Sequence, residues 1–183
     1  IYWYDQIGGG HSDRLDNIRE YTANRHKRDL AEIVDQIGAE RVILIGQSWG
    51  AMLATLFVAE HAEKVAKIIF TSPGPILPIR PALAGLESPD SLNLKQPIYS
   101  NREGNEKAHN FRSQLMLNVA MMFGHKLATD READDFATFL NRELNKSTLC
   151  NPSQVRETVG GAGFYAQVMT LKSFPKIKDQ RTQ

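Results

Sequence analysis

The chain of 183 residues has a single cysteine, Cys150, so no internal disulfide can form; the plainest role for that thiol is a small packed side chain. It has no excess of either charge. Twenty-two Lys and Arg against 21 Asp and Glu leave a formal net charge of +1, which argues against a dedicated nucleic-acid surface. No apolar run approaches the length of a membrane span. No basic segment followed by an apolar one opens the sequence, so no membrane partner is expected and the cytoplasm is the default location. Internal repeats and low-complexity segments are missing too. What is present is 42% hydrophobic and 23% charged, an ordinary soluble composition, in a length that suits one domain with a real core or part of a larger one.

The first 75 residues read as parallel α/β. Ile1-Tyr-Trp-Tyr4 has the aromatic and β-branched character of a strand, and Asp5 to Ser12 follows as a glycine-rich turn. Thr22 is placed to cap a helix over 23–37, with Leu30, Ile33, Val34 and Ile37 as its apolar stripe and Gly38 as its stop. Val42 to Ile45 reads as a buried strand without polar alternation. Ala51 to Ala59 is a helix apolar on nearly every side, and Val65 to Thr71 is a further strand ended by Ser72-Pro-Gly-Pro75. Strand, helix, strand, helix, strand is the order of a parallel sheet with flanking helices.

After Pro75 the character changes. Pro78, Pro81, Pro89 and Pro97 interrupt an irregular stretch, and helical patterns then return without strands between them. Phe111, Leu115, Val119, Met122 and Phe123 share helical spacing. Thr129-Asp-Arg-Glu132 reads as a capping box opening a helix with the stripe Phe136, Phe139, Leu140 and Leu144. A third helix includes Tyr165 to Leu171, after the flexible Gly160-Gly-Ala-Gly163. The expected organisation is thus a partial α/β core over 1–75 and a helical lid over 76–183.

The most informative residues are Gly46-Gln47-Ser48-Trp49-Gly50, between the apolar run Arg41-Val-Ile-Leu-Ile45 and the helix from Ala51. A bare G-x-S-x-G turns up by chance in roughly one chain in twenty of this length, so the flanking strand and helix carry the argument. A strand, a sharp turn with Ser at its apex and a helix form a nucleophile elbow. On this reading Ser48 is held in a strained backbone conformation, glycines on either side let strand and helix approach, and the Trp49 N–H points to where an oxyanion would form.

With Asp5-Gln6-x-Gly8-x-Gly10-x-Ser12, this motif resembles the α/β-hydrolases, and among them the prolyl iminopeptidase group, where Trp follows the nucleophile and the loop reads D-Q-R-G-x-G-x-S; Ile7 stands here in place of the Arg. The resemblance implies attack by Ser48 on an acyl carbon, an acyl-enzyme cleaved by water, and release of N-terminal residues, often proline, from small peptides. It implies no metal and no organic cofactor. It also implies lid acids that hold the substrate's free amine. Glu103, Glu106, Glu132, Glu143 and Glu157 are candidates by residue type, although a solvated helix charge is the plainer reading of each. Arg131-Glu-Ala-Asp-Asp135 likewise reads as a wet helix face, and Met116, Met121 and Met122 as lid packing rather than a pocket wall.

No residue of this chain is read as the triad acid or base. The family order is Ser, then Asp or Glu, then His. His11 lies in the glycine loop before Ser48, His26 and His61 read as exposed helix residues, and His109 and His125 as lid surface. Asp179 has no apolar strand before it. The resemblance places a second oxyanion donor on an upstream loop, and one more strand between Ile1–Tyr4 and Val42–Ile45. The 183 residues are therefore expected to be an internal portion of a longer hydrolase. Two alternatives stay open: a carboxylesterase acting on a small ester, and a catalytically incomplete binding module. Ser at the apex argues against epoxide-hydrolase and dehalogenase chemistry, which needs Asp there. Oligomeric state is not legible.

Overall fold

The computed structural model describes residues 1–74, 110–146, 151–154 and 161–177. The prolines from 75 to 97, Glu103, Glu106, His109, Cys150, Glu157, Gly160 and Asp179 lie outside the described residues. The chain divides into two compact units, neither of them a continuous stretch: Thr22–Leu86 with Leu171–Gln183, and Ile1–Tyr21 with Glu87–Thr170. None of the described helices is long and apolar enough to cross a membrane.

The first of these units contains the sheet. Helix α1, Ala23–Ile37, is capped by Thr22, whose hydroxyl accepts the Arg25 N–H at 3.0 Å, and ends at Gly38 with φ 68°, as expected from the sequence. Strand β1, Val42–Ser48, runs into helix α2, Trp49–Val58. Strand β2, Val65–Pro73, pairs with β1 in parallel, with Leu44 opposite Ile68 and Ile45 opposite Ile69. Leu30 and Val34 from α1 and Leu53 and Phe57 from α2 pack with Val65 against Val42, Leu44 and Ile68. Ala23, Met52, Leu56 and Ile177 form a second cluster with Trp49 and Phe174.

Two strand expectations need correction. Strand β1 is not buried on both faces: Ile43 is 58% and Ile45 68% exposed, and Ile69 and Phe70 of β2 are exposed as well. Side chains alternate across a strand, and α1 and α2 both pack on the face of Val42, Leu44 and Ile68; among the described residues nothing covers the other face. Ile1-Tyr-Trp-Tyr4 is not a strand, and all four side chains are exposed. Its residues have the propensity, but a strand exists only in a ladder, and no described segment pairs with this one.

The second unit is helical. Helix α3, Phe111–Phe123, is capped by Asn110 and ends at Gly124 with φ 64°. Helix α4, Asp130–Asn145, opens with the expected capping box of Thr129 and Glu132. Helix α5, Phe164–Ser173, contributes its residues 164–170 here and 171–173 to the other unit. The core gathers Ile18, Tyr21, Met116, Ala120, Ala133, Ala137, Phe164, Tyr165, Val168 and Met169.

The helices form where the sequence places them, but α3 turns another face inward. In α3 the buried residues are Ser113, Met116 and Ala120, while Phe111, Leu115, Met122 and Phe123 are exposed. In α4, Ala133 and Ala137 are buried in this core, with Phe136 of the expected stripe packed beside them. Small residues let helix backbones come close, which suits alanines at the contact. Of the three methionines, Met116 is core, whereas Met121 and Met122 are exposed. The 131–135 run is not uniformly wet. Asp134 accepts the Arg14 guanidinium at 2.8 Å through one oxygen and the Phe164 N–H at 2.9 Å through the other. Glu143 is buried rather than solvated and pairs with Lys146 at 2.6 Å.

Candidate functional site

Strand β1 delivers Ser48 to the turn before α2. Gly46 is buried while Gln47 and Ser48 are exposed. Ser48 has φ 48° and ψ −113°, a conformation that L-residues rarely hold. Such strain costs on the order of 1–3 kcal/mol and persists only where the surroundings impose it. What imposes it is visible at Gly46. A Cβ there would lie 2.5 Å from the carbonyl carbon and oxygen of Gly50 and 2.6 Å from the Ala51 nitrogen. Strand and helix backbones therefore meet directly, and the chain must reverse within the three residues between Gly46 and Gly50. Gly50 differs from the expectation: a Cβ on it would meet nothing described within 4 Å. Only the glycine before Ser48 is demanded by the approach of strand and helix.

The Ser48 hydroxyl makes no capping bond to α2, and no described histidine hydrogen-bonds to it. Trp49 is the first residue of α2, where the N–H groups have no intrahelical carbonyl to bond and point out of the helix end. Its indole stacks on Phe174 with ring centroids 5.4 Å apart, and meets the His26 ring edge-on at 5.8 Å.

His26 corrects a further expectation. It is 4% exposed, not a surface residue. Burial holds its pKa below the ordinary histidine value, with Asp29 pulling it up and Arg25 pushing it down. The signal was available in the sequence, because Ala23, His26, Leu30 and Val34 have helical spacing and His26 completes the stripe. His61 is half-buried, its ring 4.8 Å from that of Phe57. His125 is exposed.

The turn has a neighbour that the sequence did not mark. Among the described residues only Ser48 and Ser72 combine a side chain with positive φ; Ser72 has φ 44°. In the ladder Gln47 faces Thr71 and Ser48 faces Pro73, so Ser72 is the extra residue of a bulge. The Thr71 hydroxyl donates to the Gly46 carbonyl at 3.4 Å, and the Gly74 N–H to the Ser48 carbonyl at 3.5 Å.

The Asp5–Ser12 loop is described within the helical unit. The Asp5 carboxylate accepts the His11 N–H at 2.9 Å and lies 3.4 Å from its Nδ1; the backbone bond is the main reason its pKa falls below the usual aspartate value. The Ser12 hydroxyl donates to the Asp5 carbonyl at 2.6 Å, and Arg14 donates to the carbonyls of Gly9, Gly10 and Ser12. Gly161 and Gly163 pack against this loop: the Gly10 N–H donates to the Gly161 carbonyl at 2.9 Å, and a Cβ on Gly163 would fall 1.6 Å from the Gly8 oxygen. His11 is fully exposed and held by Asp5.

The family pattern described as alpha/beta hydrolase fold matches residues 1–152. The chain belongs to this family. The strand–turn–helix around Ser48 lies within the matched residues. Among curated relatives, a proline iminopeptidase of Lactobacillus delbrueckii subsp. lactis is 35% identical over 74 residues, 39% of this chain and 25% of that protein. An epoxide hydrolase A of Mycobacterium tuberculosis is 38% identical over 64 residues, 35% and 20% of the two chains. A putative 2-succinyl-6-hydroxy-2,4-cyclohexadiene-1-carboxylate synthase of Bacillus subtilis is 38% identical over 71 residues, 39% and 26%. The chain thus spans about a quarter of the length, or less, of the curated relatives it matches. Among solved structures, an N-acyl homoserine lactonase superimposes with a TM-score of 0.47 at 16% identity, over 97% of this chain and 53% of that one.

Proposed function

We propose that this α/β-hydrolase chain carries the nucleophile of a serine aminopeptidase, which releases N-terminal residues, proline among them, from small peptides. The observation that carries the reading is Ser48 itself: an exposed hydroxyl on a strained turn that the contact between Gly46 and α2 holds in place. The similarity to proline iminopeptidases supports the substrate class. In this reading the Ser48 oxygen attacks the acyl carbon while its proton passes to a base. The Trp49 N–H donates to the oxyanion as it forms. The amine then leaves with a proton, and water cleaves the acyl-enzyme. No metal or cofactor takes part.

One observation favours a small ester as the substrate instead. Both amine-holding candidates that fall among the described residues, Glu132 and Glu143, are already engaged, as is Asp134. The Thr129 hydroxyl and N–H, with Arg112 beyond them, hold the Glu132 carboxyl below its usual pKa. Glu143 is bonded to Lys146, and Asp134 to Arg14 and the Phe164 N–H. None of these is poised to take a substrate amine.

A fluorophosphonate probe and a substrate panel test both readings on the intact protein. Ser48 should be labelled and Ser48→Ala should not, with the rate falling by roughly 10⁶-fold. Prolyl arylamides should be cleaved faster than other aminoacyl arylamides and short acyl esters. Cleavage of esters alone would move the assignment to an esterase, and an unlabelled Ser48 would end the serine-hydrolase reading.

A further inference from the structure

Ser72 sits where the fold places a second strained serine beside the first. Replacing it by glycine would relieve the backbone, since glycine adopts positive φ at no steric cost. Among the described residues nothing repays the strain: Ser72 is exposed, and none of them hydrogen-bonds its hydroxyl. The bulge that creates the conformation lies opposite the Gln47–Ser48 step, at the carboxyl ends of two parallel strands. That end of a parallel sheet is where ligands of α/β folds bind, and bulges beside active sites re-aim a side chain. Immediately before the bulge, Thr71 is tied to the Gly46 carbonyl, and the two strands keep one register from Ile43 to Gln47, where the paths diverge.

We propose that Ser72 is a specificity residue of the Ser48 site, its hydroxyl hydrogen-bonding a polar group of the acyl substrate next to the scissile carbonyl. The inference rests on Ser48 being the nucleophile. It separates two consequences of one residue, a backbone strain and a hydroxyl, and two substitutions separate them in turn. Ser72→Ala keeps the strain and removes the hydroxyl; Ser72→Gly removes both.

The test is steady-state kinetics on whichever arylamide or ester the intact wild-type protein cleaves best, together with fluorophosphonate labelling and thermal melting. Both variants should raise KM by about tenfold, the worth of one hydrogen bond, with kcat changed by less than threefold and labelling of Ser48 retained. Ser72→Gly should melt higher than the wild type and Ser72→Ala should not. Wild-type KM in Ser72→Gly would overturn the proposal, whatever Ser72→Ala does, because the hydroxyl would then be dispensable. A wild-type protein that neither labels nor turns over any of these substrates would remove the nucleophile reading, and this inference with it.

Discussion

The two glycines that flank Ser48 look equivalent in the sequence but should behave oppositely when substituted. In Gly46→Ala the new methyl would stand 2.5 Å from the Gly50 carbonyl atoms and 2.6 Å from the Ala51 nitrogen. Carbon atoms rest at about 3.5–4.0 Å, so β1 and α2 must separate by about 1 Å. Backbone atoms on both sides leave no flexible side chain to absorb the change. Overpacking of this kind costs about 1–3 kcal/mol, and a shift of about 1 Å at a catalytic centre costs on the order of 100-fold in rate. Gly50→Ala adds a methyl with nothing described within 4 Å, inside a helix where Ala is preferred to Gly by about 0.5–1 kcal/mol. Urea unfolding and the fluorophosphonate labelling rate of the two variants provide the assay. Gly46→Ala should lose stability and label roughly 100-fold more slowly; Gly50→Ala should match or exceed the wild type in stability and label normally. Equal behaviour of the two, in either direction, would refute the claim that one backbone contact holds the turn.

Two further predictions follow from buried groups. Tyr165 is 2% exposed, and its hydroxyl donates to the Ala128 carbonyl at 2.9 Å while accepting the N–H groups of Leu127 and Ala128; Tyr165→Phe should cost about 1–3 kcal/mol in urea unfolding, and a loss under 0.5 kcal/mol would show that water replaces the hydroxyl. For His26 the folded-state pKa lies below the unfolded value near 6.5, so the unfolded chain binds the proton more readily. Stability should therefore be full above about pH 6.5 and fall as the pH drops from there to the folded pKa. His26→Phe should lack that segment of the pH profile, and parallel profiles for variant and wild type would overturn it.

The elements of this protein were legible from local rules. Thr22, Gly38 and the Thr129–Glu132 box bounded their helices because capping is a matter of neighbours in sequence. The turn at Ser48 was legible for the same reason: glycine spacing and the flanking apolar runs act over a few residues. The directions in which the elements face were not. Reading the largest apolar residues as the inward stripe failed in α3, where Met116 and Ala120 make the contact and Phe111 and Met122 do not. His26 was misjudged because a titratable side chain reads as surface, although its position on α1 places it against Trp49. Asp134 read as solvated because its partners, Arg14 and Phe164, are distant in sequence.

By itself, then, the sequence determined where the chain turns, where its helices start and stop, and that a serine stands at the apex of a strand–helix elbow. These follow from conformational preferences that each residue carries wherever it is placed. Only the tertiary structure decided that, among the described residues, Gly46 and not Gly50 meets a crowding backbone, that Ile1–Tyr4 finds no ladder there, and that a bulge strains Ser72 beside Ser48. Each of these depends on the distance between backbones far apart along the chain, and such distances are set by packing, which no local pattern records.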